Sequence, residues 1–425
     1  MQTSLMGIAK KAKSEPKHQF RNLFGILNEA NLKWSMQFLK KRAAPGVDNV
    51  DYGEYEKNLV GNVRNLVGRV KRGSYRAKLV RRKYIPKGNG KKRPLGIPTV
   101  EDKLLQMAVK QILQAIYEQD FLSCSYGYRP KKGSLDAVGA LTRGLWFGKY
   151  GYVVEADIKS FYDNIDHELL IRMLEKRIDD RPFIRLIKKW LRAGILEEDG
   201  RVIHPETGTP QGGVVSSILA NIYLHHALDV WFRKTKKRQY RGETRLIRYA
   251  DDFVVAFQYK EEAQEFHKEL EERLKEFGLE VAEEKTRVLR FSKDDKQGSS
   301  TFDFLGFEFR WITNKEGKDV ITRRTSRKKF RAAVARFKDW IKRSRSFRLG
   351  LLMKTLKAKY RGHGNYYGVI GNSESLNDYY RQTQKLLFKW LNRRSQRLGY
   401  DWNGFNQMLK SFGIEGPRIV EKRNV

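Results

Sequence analysis

The chain has 425 residues, enough for two or three domains, and its 40% hydrophobic and 12% aromatic content is that of a globular protein. Lys and Arg number 86 against 49 Asp and Glu, a net charge of +37 with pI near 10.1, which points to a polyanionic partner, nucleic acid first. No apolar run approaches the roughly 20 residues of a membrane-spanning helix, and the single cysteine, Cys124, excludes a disulfide scaffold and paired-cysteine zinc modules.

The amino terminus lacks the apolar stretch of a secretory signal, and Glu15, Pro16 and the scarcity of Arg speak against a transit peptide. With one cysteine, read as a half-buried packing residue, a cytoplasmic location of bacterial type is expected. Residues 20–42 and 101–120 carry helical apolar spacing. Between Lys57 and Val100 stand 14 Lys and Arg with no acid. Within that block "KGNGKKR" (87–93) reads as an exposed turn, as does "KEGKD" (315–319) further on. "YGYVVEADI" (150–158) is a β-rich run ending on an acid, and 167–178 and 217–232 read as amphipathic or buried helices. "TRLIRYADDFVVAFQ" (244–258) predicts two strands folded back at Ala250–Asp251, and 260–278 predicts an amphipathic helix stopped by Gly278. Another hairpin-like run covers 301–312, after which "RRTSRKK" (323–329) leads a helical pattern to about Gly399. Residues 321–400 hold 22 Lys and Arg against three acids, Asp339, Glu374 and Asp378. Two basic blocks thus flank a more balanced centre, as expected if a nucleic acid is gripped from both sides of a site.

The chemistry is expected in that centre. Asp251 and Asp252 stand side by side in an apolar setting, where adjacent like charges are costly unless a cation offsets them. An isolated Asp-Asp in a hairpin is ordinarily a turn. Here a third acid, Asp157, ends its own strand 94 residues earlier, and two such strands paired antiparallel would bring three carboxylates together. Hard oxygen ligands suit Mg²⁺, with Mn²⁺ as a substitute. Two such ions about 3.5–4 Å apart are the arrangement that activates a 3′-hydroxyl and stabilises a leaving pyrophosphate.

Several blocks in order resemble the reverse transcriptases, and within them the group II intron reverse transcriptase/maturase proteins that lack a carboxy-terminal endonuclease domain. "YADD" (249–252) is similar to the family's Tyr-x-Asp-Asp box, "ADIKSFYDNIDH" (156–167) to its first metal-binding block, and "GTPQGGVVSSILANIYL" (208–224) to its Gln-Gly block. "YIPKGNGKKRPLGIPTVEDKLLQ" (84–106) and "SYGYRPKKGSLDAV" (125–138) resemble the fingers blocks, and "GLEVAEEKT" (278–286) and "FDFLGFEF" (302–309) the last palm blocks. "APGVD" (44–48) resembles the amino-terminal extension of this subgroup, and "GNYYGVIGNSESL" (364–376) and "LNRRSQRLGYDWNGF" (391–405) its maturase thumb.

The resemblance implies an α+β right-hand polymerase: an amino-terminal extension over 1–60, fingers and palm over 61–312, a helical thumb or maturase domain over 320–400, and a tail over 401–425. It implies an RNA-directed DNA polymerase that also binds its intron RNA as a splicing cofactor. Its partners would be structured intron RNA, an RNA template with a DNA primer, and deoxynucleoside triphosphates. Carried over to this sequence, Asp157 and Asp251 bind both metals, the Ile158 carbonyl is an extra ligand, and Asp252 supports them. Lys87 and Arg93 would hold the triphosphate, and Gln211 and Lys285 would lie near the nucleotide. Gly212 and Gly213 would leave room for a close backbone approach. Tyr162 would lie under the sugar and exclude a 2′-hydroxyl, with Phe161 turned into the palm core because neighbours on an extended stretch face opposite ways. Arg323, Arg324, Lys328 and Lys329 are the expected RNA contacts.

Two departures stand out. Where the family has Ser-Pro after the glycines, this chain has Ser216–Ser217, and a serine could cap the helix instead. Many intron proteins continue into a DNA-binding segment and a metal nuclease, whereas this sequence stops at Val425, so no endonuclease is expected. Two alternatives stay open: an intron-like reverse transcriptase recruited to repair or defence, and an RNA-binding splicing cofactor with a vestigial polymerase. An RNA-copying RNA polymerase is disfavoured by the aromatic at 162.

Overall fold

A computed structural model of the protein describes residues 2–88, 91–294, 300–394 and 399–421. Four helices lead the chain, α1 (Gln2–Ser14), α2 (Glu29–Met36), α3 (Tyr52–Lys57) and α4 (Leu59–Lys71). The helical reading of 20–42 contracts to α2, because Asn28 caps its start and Phe20 is drawn into a bridge with Ile178. Strands β1 (Val80–Gly88) and β2 (Lys91–Ile97) form an antiparallel pair that takes in most of "KGNGKKR"; the centre of that expected turn, residues 89–90, lies outside the described residues. Helix α5 (Val100–Tyr117) is capped by Thr99, which accepts from the Asp102 amide. Its face of Leu104, Leu105, Ala108, Val109 and Ile112 is fully buried in the main core.

Helix α6 (Ser134–Phe147) and strand β3 (Tyr152–Ala156) come next, followed by α7 (His167–Glu175) and α8 (Arg181–Leu191). Two short strands, β4 (Ile195–Leu196) and β5 (Val202–Ile203), extend the first ribbon into a sheet of order β2-β1-β4-β5. Helix α9 (Ser216–Leu224) passes into π-helical turns at His225–Asp229 and Phe232–Lys236, ending in the short α10 (Lys237–Gln239).

The central sheet has the order β6-β7-β3-β8, wholly antiparallel, from β6 (Thr244–Tyr249), β7 (Asp252–Phe257), β3 and β8 (Arg287–Arg290). Its two faces alternate as a doubly covered sheet must. Val154, Ala156, Phe253, Val255 and Phe257 enter the main core, whereas Val153, Val254 and Ala256 enter a second core with Val138 and Leu141 of α6. Helix α11 (Lys260–Lys275) closes the main-core side with Phe266, Leu270 and Leu274.

A third sheet, β11-β10-β9, joins the second core through β9 (Phe302–Phe304), β10 (Phe307–Thr313) and β11 (Asp319–Thr325). Phe302 and Phe309 stack there at 4.9 Å. The β9–β10 turn has Leu305 and Gly306 both at positive φ (50° and 84°), the requirement of a tight two-residue hairpin. The β10–β11 hairpin crosses the boundary expected between 312 and 320. Four helices end the chain: α12 (Arg327–Ser344), α13 (Leu349–Tyr367), α14 (Ser373–Leu391) and α15 (Trp402–Ser411). They share a third core of Phe337, Ile341, Leu352, Leu356, Leu387 and Phe405, so residues expected as a tail begin as a thumb helix. The mixed helix-and-sheet fold, with palm sheet and carboxy-terminal helices, is the architecture that the sequence resemblance implies.

Candidate active site

The β3–β7 register determines where the carboxylates go. Ala156 pairs with Phe253, and both side chains enter the main core. One rung further, the alternation of an antiparallel pair sets Asp157 beside Asp252 on the opposite face, with Asp251 in the turn between. Tyr249, opposite Asp252 in the hairpin, packs against the second core on that same face. The turn residue Ala250 is held at φ 57°, a left-handed conformation that costs a non-glycine residue about 1–2 kcal/mol. Ile158 is buried and bridges Val281, and the Asp157 carbonyl accepts from the Ala282 amide at 2.8 Å.

The charges crowd one another. Asp252, though exposed at the sheet edge, is pushed up to about 6, first by the protein around it displacing water and then by the charges of Asp251 and Asp157. Lys285 and Lys329 oppose that shift. Lys285 itself forms an ion pair with Asp157, which raises its own pKa. Among the described residues, no three His, Cys, Asp or Glu groups stand as a ready-made cation cage, and the Lys285 ammonium takes a cation's place on Asp157. The donors nevertheless fit a hard divalent ion: three mutually repelling carboxylates on one sheet edge, already balanced in part by positive charge.

Around this edge stand the other expected residues. Tyr162 is buried, at 8% exposure, and its hydroxyl shares a hydrogen bond with Tyr128. Burial and that bond raise its pKa, and the charge of Arg93 on β2 works the other way. Phe161 is equally buried, but for a different reason from the one expected. Residues Phe161–Asp163 form a 3₁₀ turn, not an extended stretch, and the two rings meet edge to face at 5.5 Å, both in the main core.

The Gln211 carbonyl accepts from the Gly96 amide at 2.8 Å, tying the Gln-Gly loop to β2. Gly212 has φ +117°, and a Cβ there would lie 2.7 Å from the Gly96 carbonyl oxygen, so the close backbone approach comes from β2. The Lys87 backbone lies on β1, one residue before its end, but its side chain lies outside the described residues. Ser217 does not cap α9. The cap position is Val215 with no side-chain bond, and the Ser216 hydroxyl binds Thr209 and the Pro210 carbonyl instead.

The RNA-binding set divides. Arg323 and Arg324 lie on β11, not on a helix. Arg323 is buried and forks onto Glu421 (2.9 and 2.7 Å), and Arg324 pairs with Glu308, so both guanidinium groups are spent inside the fold. Arg323 is thereby withdrawn from the expected RNA contacts. Lys328 and Lys329 are exposed on the first turn of α12, and the Lys329 charge reaches Asp252 and Asp303.

One group escaped the sequence reading. Arg248, immediately before the YADD turn, is fully buried and forks onto the equally buried Asp229 at 2.7 and 2.5 Å. Burial works against its charge, but Asp229 outweighs it and keeps the guanidinium protonated. A lone charge facing inward in "TRLIRY" and a lone acid in "HHALDVWF" were the available signals.

The family described as reverse transcriptase (RNA-dependent DNA polymerase) matches residues 85–309, more than half of the chain. The chain belongs to the reverse transcriptase family. The group II intron maturase-specific domain matches residues 327–407, which covers α12 to α14 and most of α15. The group II intron-encoded protein LtrA of Lactococcus lactis subsp. cremoris is 44% identical over 177 residues, 41% of this chain and 29% of that protein. Protein YkfC of Escherichia coli is 34% identical over 245 residues, 50% of this chain and 62% of that protein. A putative COX1/OXI3 intron 1 protein of Saccharomyces cerevisiae is 24% identical over 417 residues, 78% of this chain and 49% of that protein. The chain thus covers less than two thirds of the length of these relatives. A reverse transcriptase domain implies dependence on a divalent metal, and a group II maturase domain implies an RNA partner. No helix among the described residues is long and apolar enough to cross a membrane.

Proposed function

We propose that the protein is an RNA-directed DNA polymerase that adds deoxynucleotides to a primer 3′-hydroxyl on an RNA template, and that it binds group II intron RNA as a maturase. The observation that carries this reading is the register that sets Asp157 and Asp252 on one sheet edge with Asp251 in the adjoining turn, inside a chain matching both domains in order. Asp157 and Asp251, with the Ile158 carbonyl and support from Asp252, would hold two Mg²⁺ ions, or Mn²⁺ in their place. Such ions supply activation of the attacking 3′-hydroxyl and charge stabilisation on the leaving pyrophosphate.

The remaining work falls to the chain. Arg93, whose charge is felt at Tyr162, offers a fork to triphosphate oxygens, and Lys87 a point charge. Tyr162, held by Tyr128, presents a flat wall below the sugar. Gln211, tied to β2, lines the nucleotide position, and Lys285 can move from Asp157 to phosphate as nucleotide arrives. Lys328 and Lys329 face the RNA.

The test is Asp251→Asn, which keeps size and removes one negative charge. Primer extension is expected to fall by roughly 10²–10⁴, equivalent to about 3–5 kcal/mol, while affinity for a cognate intron RNA stays at the wild-type value. Substantial cDNA synthesis by the variant would overturn the metal-site assignment. Loss of RNA affinity would make the YADD turn a structural element only.

A further inference from the structure

We propose that Arg248 is a positioning residue for the metal site: with Asp229 and Asn221 it forms a buried clamp that holds the YADD turn in its left-handed conformation. The proposal rests on the polymerase reading for its kinetic consequences but not for its geometry.

The clamp begins below the sheet. Arg248 pairs with Phe253 in the β6–β7 register, so its side chain faces the main core, away from the carboxylates. There its Nε and Nη2 donate to Asp229, and its Nη1 donates to the Asn221 side-chain Oδ1 (3.1 Å) and to the Ala250 backbone carbonyl oxygen (3.0 Å). Ala250 is the turn residue with φ 57°, directly before Asp251. An alanine there is stable only where its surroundings determine it, and such outliers gather at functional sites. Arg248 supplies that determination from beneath.

A second arm holds the turn from behind. The Asn221 side chain donates through Nδ2 to the Gly127 carbonyl at 2.6 Å, and Gly127 lies so close to the turn that a Cβ would stand 2.4 Å from the Ala250 nitrogen. The same run is stitched to β6 on both sides: the Arg248 amide donates to the Cys124 carbonyl (2.8 Å) and the Tyr126 amide to the Arg248 carbonyl (2.9 Å).

The helix behind the sheet is shaped to complete the clamp. Asn221 and Asp229 are eight residues apart, and a regular α-helix would turn them about 80° away from each other. The π-helical turn at His225–Asp229 winds more slowly and brings both onto the guanidinium. The sequence thus interrupts a helix at the place where a regular one would miss the arginine.

The experiment compares the full-length protein with Arg248→Lys and Asn221→Ala. Lysine keeps the charge opposite Asp229 but cannot reach Asn221 and Ala250 together. In Arg248→Lys, kcat is expected to fall at least 10-fold, and the Mg²⁺ concentration for half-maximal synthesis to rise 5- to 10-fold, roughly the range for lost support of metal ligands. Mn²⁺ binding without nucleotide, followed by electron paramagnetic resonance, should weaken by a similar factor, whereas the KM for deoxynucleotide stays within about twofold. Asn221→Ala, which leaves the ion pair whole, should shift the metal readouts in the same direction by less, and it decides the question if Arg248→Lys does not fold. Folded variants with wild-type Mn²⁺ affinity and Mg²⁺ dependence would overturn the proposal, since a merely structural role lowers stability without moving either. Wild-type protein that makes no DNA while Arg248→Lys still weakens Mn²⁺ binding would sink the polymerase reading and keep the clamp.

Discussion

Lys285 and Asp157 form an ion pair across 128 residues of chain, joining the 3₁₀ turn Glu283–Lys285 to the end of β3, where the first of the three carboxylates stands. The lysine side chain is half exposed, so the pair adds little to stability. Its consequence is electrostatic: on the proposed reading, an ammonium stands where a metal ion would approach Asp157. Replacing Lys285 with Ala should therefore tighten Mn²⁺ binding to the nucleotide-free protein several-fold. The same change should raise the KM for deoxynucleotide, because the group that would move to the triphosphate is gone. Metal affinity that weakens in the variant would mean that Lys285 organises Asp157 instead of competing for it.

Tyr162 gives a prediction about the sugar. Its ring is fixed from two sides, by the hydrogen bond to Tyr128 and by the Phe161 ring, so it cannot swing aside cheaply. In Tyr162→Ala the kcat/KM ratio for deoxy- over ribonucleotide on one template should fall by at least 10-fold, with RNA affinity unchanged; one good steric contact is worth about 1–3 kcal/mol of discrimination. An unchanged ratio would make the ring a packing residue only.

The parts of this molecule that were legible in the sequence are those written in local periodicity. The YADD hairpin, α5, α11 and the β9–β10 hairpin follow from alternation, helical spacing and turn residues. The three carboxylates could be associated because each closes or opens an apolar strand. What was not legible depends on contacts between distant segments. Arg323 looked like part of an exposed basic run, yet β11 turns it inward onto Glu421, 98 residues later. Phe20 belongs to no helix because Ile178 captures it. The Arg248–Asp229 pair was hidden for the same reason: each residue is one charge in an apolar segment, and only the fold reveals that the two charges face each other.

Arg323 and the lysines that follow it should separate stability from RNA binding. Arg323→Ala leaves Glu421 without its partner in a mostly buried setting and should cost about 1–3 kcal/mol, read as a lower melting temperature, with RNA affinity retained in the folded protein. Lys328→Ala with Lys329→Ala should do the reverse. Melting would be unchanged, RNA affinity would fall for all sequences alike, and the slope of log affinity against log salt would drop by about 1.5–2. If the double lysine variant keeps the wild-type slope, the exposed start of α12 does not touch phosphate.

Buried histidines predict how stability responds to acid. His225 packs edge-on against Phe121 and His226, with Asp229, Arg248, Arg129 and Lys234 as the surrounding charges. Burial, the largest cause, pulls its pKa from 6.5 down to about 4, with Asp229 only partly opposing. The folded state thus binds this proton more weakly than the unfolded chain does. Its contribution is fully present above pH 6.5 and is lost progressively as pH falls from 6.5 toward 4. At pH 5 the loss from this one group is about 2 kcal/mol. Asp120 works in the opposite sense: burial raises its carboxyl to about 6, so it gains relative stability as pH falls through that value. The total pH profile therefore mixes both signs, and the informative quantity is a difference between two proteins. His225→Phe keeps an aromatic ring against Phe121 and removes the titrating nitrogen. Melting temperatures of wild type and variant at pH 7, 6 and 5 should converge on acidification, the variant losing less by about 2 kcal/mol between pH 7 and 5. Parallel losses in the two proteins would show that His225 takes up its proton equally readily folded and unfolded, contrary to its buried position at the start of the π-turn against Phe121.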